Sequence, residues 1–185
     1  CSTKEEALSK ALSIIEKGSV IASGGSATIE EVGLLNYIKT HSEEYTFIDR
    51  SIAKNEEEKR QIHAKAILSD YYLMSTNAFT MDGQLVNIDG NGNRVSALCY
   101  GPKHVVIITG MNKLTPSVED AYKRIRQDAC PPNCVRLGLP TPCSKTGVCG
   151  DCMSASSICD LFVTTRMSRY PDRIHIIMVG EELGY

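Results

Sequence analysis

The sequence predicts an α/β fold, in which a mostly parallel sheet carries helices on both faces. Segments with the apolar periodicity of a helix alternate along the chain with short runs that are typical of buried strands. The run at 104–109 is largely apolar, as expected for a strand that is covered on both faces. With 185 residues the chain can bury one substantial core, so we expect a single domain over residues 1–185.

Capping residues and apolar spacing predict the helices. The first begins at the hydroxyl groups of Ser2 and Thr3, has Glu5 and Glu6 in its first turn, and ends at Gly18. The later helices follow from apolar residues that recur every three or four positions. Their predicted spans are 28–38, 56–68, 94–100 and 116–127.

Short apolar runs between these helices predict the strands. The predicted spans are 19–22, 45–48, 71–74, 78–80, 85–88, 104–109, 161–164 and 174–179. The pair at 78–80 and 85–88 flanks Asp82-Gly83, a turn sequence that predicts a hairpin interrupting the parallel sheet. The segment at about 128–160 is interpreted as a cysteine-rich insertion that must be ordered either by binding a metal or by packing.

Composition and charge exclude several classes of protein. The net charge of −2 argues against nucleic-acid binding. The longest apolar runs are far shorter than the ~20 residues that a membrane span needs. We therefore expect a cytoplasmic protein that binds neither nucleic acid nor membrane. Because the chain begins at Cys1 rather than Met, a trimmed N-terminus is expected, with a lipoprotein that starts at cysteine as the alternative.

Cysteine is the unusual residue of this chain, with six of the eight between positions 130 and 159. The last four have the spacing Cys143-x5-Cys149-x2-Cys152-x6-Cys159 and could supply four thiolates to one metal centre. Their compact spacing favours a [4Fe–4S] cluster, with zinc, disulfides or free thiols as alternatives. Lys145 could offset part of the thiolate charge.

The roles of Cys130 and Cys134 stay open at this level. The two thiols could form a small disulfide loop, belong to a second partial ligand set, or have no ligand at all.

A first glycine loop follows the first predicted strand. Gly24 and Gly25 would let the backbone approach a ligand, and Ser26 and Thr28 could help to bind an anion at the start of the next helix. The alternative is a plain tight turn in which Ser26 or Thr28 caps that helix.

A second glycine loop follows the hairpin and runs from Asp89 through Gly90, Asn91, Gly92 and Asn93 to Arg94. Alternating glycines can form a nest of backbone amides, and Arg94 could clamp a carboxylate or phosphate. A structural turn is again the alternative. Together the two loops predict a pocket for a small anionic metabolite near the carboxyl ends of the strands.

Few other side chains are candidates for catalysis. Glu31 lies one helical turn after the first glycine loop, and Asp89 opens the second, so both could handle protons. His63 is interpreted as a surface residue, and Cys99 as a small buried residue rather than a nucleophile.

The motifs at 24–33, 75–78, 87–94 and 173–185 occur in an order that resembles the LUD-domain family, the lactate utilisation proteins. The resemblance covers nearly the whole chain and implies the fold of ribose-phosphate isomerases and CoA transferases. It implies that the first glycine loop cradles a phosphate or carboxylate, that residues 89–94 form the opposing wall, and that Asn77 lies nearby. The four-cysteine tail resembles that of the short members of the family.

Three functions are compatible with these features. The first is an iron–sulfur component of redox metabolism, with partner subunits, acting on lactate or a related small hydroxy acid. The second is an isomerase or hydrolase of a phosphate- or carboxylate-bearing metabolite, in which the metal is only structural. The third is a module that binds a ligand or senses redox state without catalysis. The chain has no flavin or nicotinamide signature, and a single cluster cannot accept a hydride.

Overall fold

The computed structural model describes all residues, 1–185, and they group into two compact units. Unit 1 comprises Cys1–Ser75, Asn93–Met111 and Ser168–Gly184, and unit 2 comprises Thr76–Gly92, Asn112–Met167 and Tyr185. The interpretation of the chain as one domain stays a prediction.

The structure contains nine strands and eight α-helices. The strands are β1 (Val20–Ser23), β2 (Thr46–Ile48), β3 (Tyr71–Met74), β4 (Ala78–Thr80), β5 (Leu85–Asp89), β6 (His104–Gly110), β7 (Leu114–Thr115), β8 (Leu161–Thr165) and β9 (Ile174–Val179). The helices are α1 (Lys4–Ile14), α2 (Ala27–Glu31), α3 (Leu34–Thr40), α4 (Glu56–Ile67), α5 (Asn93–Cys99), α6 (Val118–Arg124), α7 (Cys130–Arg136) and α8 (Pro142–Thr146).

Unit 1 is built on a five-stranded sheet in the order β2-β1-β3-β6-β9, and every neighbouring pair is parallel. Residues from α1, α2 and α3 form the core against one face, together with Ile21, Leu73, Val106 and Ile177. On the other face, Ala66 of α4 is buried. The predicted α/β fold with a mostly parallel, helix-covered sheet is therefore confirmed.

Unit 2 has a sheet of its own, in the order β7-β4-β5-β8. The predicted hairpin is present as the antiparallel pair β4 and β5, and β8 extends it in antiparallel fashion. The hairpin therefore lies outside the parallel sheet and does not interrupt it. Its two strands belong to the second sheet, where β4 pairs with β7 and β5 pairs with β8. Ala121, Ile125 and Ala129 pack with Val86 and Ile88 in the core of this unit.

Two predicted segments differ from the structure. The helix expected at 28–38 is divided into α2 and α3, because Gly33 between them has a φ of 80°, which no right-handed helix contains. No helix was predicted within the cysteine-rich insertion at about 128–160, but it contains α7 and α8. Pro131 and Pro132 are compatible with α7 because they lie in its first turn, where backbone N–H groups are not needed.

None of the helices combines the length and the apolar character that crossing a lipid bilayer requires.

Gly101 gives a test of the packing in unit 1. Its φ is +126°, and a Cβ atom there would lie 2.5 Å from Cγ2 and 2.8 Å from the carbonyl oxygen of Ile67. We expect Gly101→Ala to lower the free energy of unfolding by about 2–4 kcal/mol in chemical denaturation. Gly18→Ala is the matched control, since its φ is +81° but nothing lies within 4 Å of the added atom. Equal losses in the two variants would show that the contact with Ile67 contributes nothing.

An ion pair between Lys39 and Asp49, 2.8 Å long, joins α3 to the 3-10 turn Arg50–Ile52. Hydrogen bonds from Lys39 and Ser51 lower the pKa of Asp49 to about 2. A lowered carboxyl pKa stabilises the fold above the unfolded value of about 3.9, and this contribution disappears as the pH falls towards 2.

We therefore expect Asp49→Asn to cost about 0.5–1 kcal/mol of unfolding free energy at pH 7, because the pair is partly exposed. Chemical denaturation across the pH range should show that this difference shrinks as the pH falls from about 5 to about 2. Glu43→Gln, which replaces an exposed carboxylate without an ion pair, serves as the control and should behave like the wild type. A deficit that persists unchanged at the lowest pH would contradict the electrostatic explanation.

Candidate functional site

All six clustered cysteines lie in unit 2. Cys130 and Cys134 lie one turn apart on α7, and Cys143 is the second residue of α8. Cys149 and Cys152 lie in the loop that follows α8, and Cys159 lies two residues before β8. The first three thiols are buried, the last three are half-buried, and none of the six forms a disulfide.

One pair of sulfur atoms joins α7 to the segment just before β8. The Sγ atoms of Cys130 and Cys159 are 3.4 Å apart, which is within hydrogen-bond distance for sulfur. This hydrogen bond, followed by burial, raises the pKa of Cys130, and the same bond lowers the pKa of Cys159. Of the two thiols, Cys130 therefore has the raised pKa and Cys159 the lowered one.

Cys134 is a weaker acid than an ordinary thiol, because burial raises its pKa to about 11. It also hydrogen-bonds with Cys143, whose Sγ atom lies 3.4 Å from the hydroxyl oxygen of Thr141. The two cysteines of α7 therefore each contact a cysteine from the predicted ligand set.

Arg126 is the cation next to the thiols. Its Nε–H donates to Sγ of Cys149 at 3.5 Å, and its Nη2 lies 2.6 Å from a carboxylate oxygen of Asp151. The contact with Cys149 is the main cause that raises the pKa of Arg126, and the negative charge of Cys159 adds to it. The sequence analysis assigned this role to Lys145, which is exposed and contacts no sulfur. Arg126 is not predicted by the sequence because a whole helix, α7, lies between it and Cys143. The spacing of the cysteines therefore does not point to it.

The predicted ligand set is Cys143, Cys149, Cys152 and Cys159. In the conformation described, no three cysteine, histidine or carboxylate side chains converge closely enough to hold an ion. Cys152 makes no hydrogen bond to another cysteine. The donor chemistry nevertheless fits a thiolate-bound metal centre, because six free thiols belong to one unit and the sulfur of one of them, Cys149, contacts a guanidinium group. The assignment of the four ligands stays a prediction.

The first glycine loop lies at the carboxyl end of β1 in unit 1. The N–H of Gly24 donates to the carbonyl oxygen of Leu73 at 3.1 Å, so the loop continues the pairing of β1 with β3. Ser26 caps α2, since its hydroxyl oxygen accepts from the N–H of Ile29 at 3.3 Å. The buried hydroxyl of Thr28 donates to the carbonyl oxygen of Leu183 at 3.2 Å. These two hydroxyl groups thus have structural partners within unit 1.

The two glycines of this loop are each in contact with an arginine. A Cβ atom on Gly24 would lie 3.3 Å from the side-chain carbons of Arg94, and one on Gly25 would lie 2.7 Å from Nη2 of Arg50. Any larger residue at position 25 would therefore displace the guanidinium of Arg50. The sequence motifs predict Arg94 at this position but not Arg50, because Arg50 belongs to no glycine loop or motif.

A small pocket, open to solvent, adjoins this loop in unit 1. Its lining consists of Ala22, Ser23, Ile48, Arg50, Ile62, His63, Ala66, Tyr72 and Asn93. His63 was interpreted as a surface residue, but it is half-buried in the pocket wall. Burial is the main cause that lowers the pKa of His63, and the neighbouring charges of Arg50 and Lys59 lower it further.

The second glycine loop is divided between the two units. Asp89, Gly90, Asn91 and Gly92 belong to unit 2, whereas Asn93 and Arg94 begin α5 in unit 1. Asp89 is buried, and its carboxylate accepts from the N–H of Gly92 at 2.8 Å.

Asn77 of unit 2 has a structural role in the hairpin. Its side-chain oxygen accepts from the N–H of Ile88 at 3.1 Å, and its carbonyl oxygen accepts from Arg124 at 2.9 Å. A ligand-binding role for Asn77 stays a prediction.

The structure also places Glu31, Cys99 and Lys113, three residues with side chains that can take part in catalysis. Glu31 is exposed at the end of α2, and its carboxylate accepts from the N–H of Gly184 at 2.8 Å. Cys99 was expected to be buried but is exposed at the end of α5. Lys113 is only 3% exposed, and the sequence analysis missed this buried lysine because it follows β6 in a polar segment. The catalytic roles of Glu31 and Asp89 stay predictions.

The chain matches the model of the LUD domain over residues 1–179. None of the curated proteins compared with it matches. Among solved structures, it is similar to a DUF162 family protein from Deinococcus radiodurans, with 15% identity over 97% of this chain and 85% of that one, and a TM-score of 0.48.

Other similar structures cover less of the chain. Ribose 5-phosphate isomerase A from Methanocaldococcus jannaschii has 17% identity over 72% of this chain and 62% of that one, with a TM-score of 0.40. The eIF2B delta structure from Chaetomium thermophilum has 12% identity over 64% of this chain and 50% of that one, with a TM-score of 0.42. The family model spans nearly the whole sequence, and the chain therefore belongs to the LUD domain family.

Proposed function

We propose that this LUD-domain protein is an iron–sulfur component of redox metabolism, acting with partner subunits on lactate or a related small hydroxy acid. The observation that carries the proposal is the group of free thiols in unit 2 with the guanidinium of Arg126 at the sulfur of Cys149. Cys143, Cys149, Cys152 and Cys159 would hold the cluster. When bound, a [4Fe–4S] cluster supplies reversible transfer of one electron.

The protein's own residues would control the charge around such a centre. Four thiolates bring a charge of about −4 into a half-buried region, which is costly unless cations lie nearby. Arg126 offsets part of this charge, and Asp151 holds its guanidinium in place at 2.6 Å. The sulfur atoms of Cys130 and Cys159 are hydrogen-bonded at 3.4 Å, and hydrogen bonds to ligand sulfurs also stabilise thiolates.

Partner subunits follow from the electron count. Oxidation of a hydroxy acid to an oxo acid removes two electrons and two protons, whereas a [4Fe–4S] centre exchanges a single electron. The sequence has no flavin or nicotinamide motif that could take a hydride. The chain would therefore pass electrons to or from a partner that carries out the substrate step.

Metal analysis of anaerobically purified protein tests the cluster. We expect about four iron atoms and about four sulfides per chain, with the visible absorption of an iron–sulfur centre. Replacing Cys143, Cys149, Cys152 or Cys159 with serine should remove most of the iron, because each would supply one ligand. Cys99→Ser is the control and should retain the iron, since Cys99 is exposed in unit 1.

Two outcomes would contradict this proposal. One zinc per chain without visible absorption would make the cysteine site structural. Loss of iron from Cys130→Ser or Cys134→Ser, with full iron in Cys152→Ser, would mean that the two cysteines of α7 belong to the ligand set instead.

Arg126 tests the electrostatic part of the proposal. Removing its positive charge should disfavour the reduced, more negative cluster, so Arg126→Gln is expected to shift the midpoint potential to a lower value. The potential is measured by redox titration followed by electron paramagnetic resonance. Arg136→Gln is the matched control, because Arg136 is exposed on α7 and hydrogen-bonds only to Asn133. Identical potentials in both variants would show that Arg126 does not act on the centre.

A further inference from the structure

We infer that the free edge of β8 in unit 2 is an interaction surface, and that it pairs in antiparallel fashion with β8 of a second copy of this chain. The sheet of unit 2 has the order β7-β4-β5-β8, so β8 has a neighbouring strand on one side only. An unpaired strand edge presents backbone N–H and C=O groups that a further strand can bind. The inference does not depend on the proposed cluster.

The hydrogen bonds of the hairpin show which way the backbone groups of β5 point. The N–H of Thr80 donates to the carbonyl oxygen of Gln84 at 2.9 Å. The N–H of Ile88 donates to the side-chain oxygen of Asn77 at 3.1 Å. Both bonds lie on the β4 side of the strand. Because the backbone groups of successive residues alternate between the two sides of a strand, the odd-numbered residues of β5 point towards β8.

The register between β5 and β8 carries this alternation to the outer edge of the sheet. Asn87 lies opposite Val163, so Val163 directs its backbone groups inwards, to β5. The two residues that flank it, Phe162 and Thr164, therefore direct their N–H and C=O groups outwards. These are the donors and acceptors that a second strand would use.

The sequence of β8, Leu-Phe-Val-Thr-Thr, has no charged residue or proline that would keep its edge from pairing. Phe162 is 51% exposed and Leu161 is 41% exposed, so apolar surface accompanies the free backbone groups. The opposite edge of this sheet, β7, is only two residues long. The outer edge of β9 in unit 1 is partly covered, because the backbone of Cys1 bonds to Met178 and Gly180 there. The edge of β8 is therefore the better surface for a further strand.

The charges at the two ends of β8 identify the partner as a second copy. Asp160 directly precedes the strand and Arg166 directly follows it. Both side chains are exposed, and neither forms an ion pair within the chain. The charge of Arg166 acts on Asp82, but these two side chains are not in contact as an ion pair. An antiparallel pair of β8 strands centred on Val163 would bring Asp160 of each copy opposite Arg166 of the other copy.

The same register satisfies the backbone. With Val163 of one copy facing Val163 of the other, Phe162 lies opposite Thr164 of the second copy. These residues have the outward N–H and C=O groups, so the pairing would form about four hydrogen bonds between the copies. A shift by two residues would remove both ion pairs, because Asp160 would then face Thr164 or Ser168. A strand that is self-complementary in this way fits a symmetric dimer.

Sedimentation equilibrium of the intact protein tests this inference. The protein is purified anaerobically and measured from low micromolar to submillimolar concentrations. A reducing buffer excludes a disulfide between the exposed thiols of Cys1 or Cys99. We expect a reversible equilibrium between monomer and dimer. A monomer at every concentration would overturn the inference, whether the edge then stays free or binds another protein.

A charge exchange tests the partner and the register together. In Arg166→Asp two aspartates would face each other at each end of the paired strands, and in Asp160→Arg two arginines would do so. Each variant alone should dimerise about tenfold more weakly than the wild type, or worse. An equimolar mixture of the two should dimerise like the wild type, because each aspartate of one copy then faces an arginine of the other. Arg169→Asp is the matched control, since Arg169 is exposed and lies outside β8.

Thr164 tests the backbone part of the inference. Thr164→Pro removes an N–H at the free edge and leaves the hydrogen bonds to β5 in place, because Thr164 does not contribute to them. We expect this variant to dimerise about tenfold more weakly than the wild type. Thr164→Ala is the control, since it loses the 3.0 Å contact with the hydroxyl of Tyr122 but keeps the N–H. Circular dichroism and thermal melting check that each variant is folded.

Three further results would overturn the inference. Arg166→Asp would dimerise as tightly as the wild type, the mixture would fail to recover dimerisation, or a folded Thr164→Pro would dimerise as tightly as Thr164→Ala. A dimer that survives these substitutions uses a different surface. The charge exchange leaves the backbone unchanged, so it decides the question by itself if Thr164→Pro does not fold.

Discussion

The parallel sheet of unit 1 must be covered on both faces, and most other features of that unit follow from this requirement. Six of the seven residues of β6 and all four of β3 are buried, so these strands have no polar face to present to water. The crossover helices that parallel pairing demands supply the cover. Helix α4 covers one face of the sheet next to β1 and β2. The glycine loop and the pocket beside it lie at the carboxyl ends of these strands.

Close contacts with neighbouring side chains explain why the two residues after β1, Gly24 and Gly25, are glycines. At Gly24 the backbone is closely approached by Arg94 and by the hydroxyl of Tyr72, and at Gly25 by Arg50. Neither glycine has a positive φ, so close contact rather than backbone conformation requires them. Ser26 and Thr28, in contrast, are explained by a helix cap and by a contact with the C-terminal segment. The loop therefore packs against two arginine side chains, Arg94 at Gly24 and Arg50 at Gly25.

In unit 2 the cysteine thiols and Arg126 affect one another's pKa values. The hydrogen bond with Cys159, followed by burial, raises the pKa of Cys130, and burial raises the pKa of Cys134. The hydrogen bond with Cys130 lowers the pKa of Cys159. The two thiols of α7 thus have raised pKa values, and Cys159, the last cysteine before β8, has a lowered one. In the proposed cluster site, Cys143, Cys149, Cys152 and Cys159 would bind the metal, and α7 would support them by hydrogen bonding.

The sequence by itself determined the element order, because apolar periodicity and turn residues are local properties of the chain. It placed every strand of the parallel sheet within a residue or two, and the hairpin at Asp82-Gly83 as well. The family motifs and the six clustered cysteines were also visible there, since they depend on spacing alone. Only the tertiary structure decided which side chains meet: Arg50 and His63 at the glycine loop, Arg126 at Cys149, and Cys130 at Cys159. These contacts join residues that are far apart in the chain, and packing rather than local pattern brings them together.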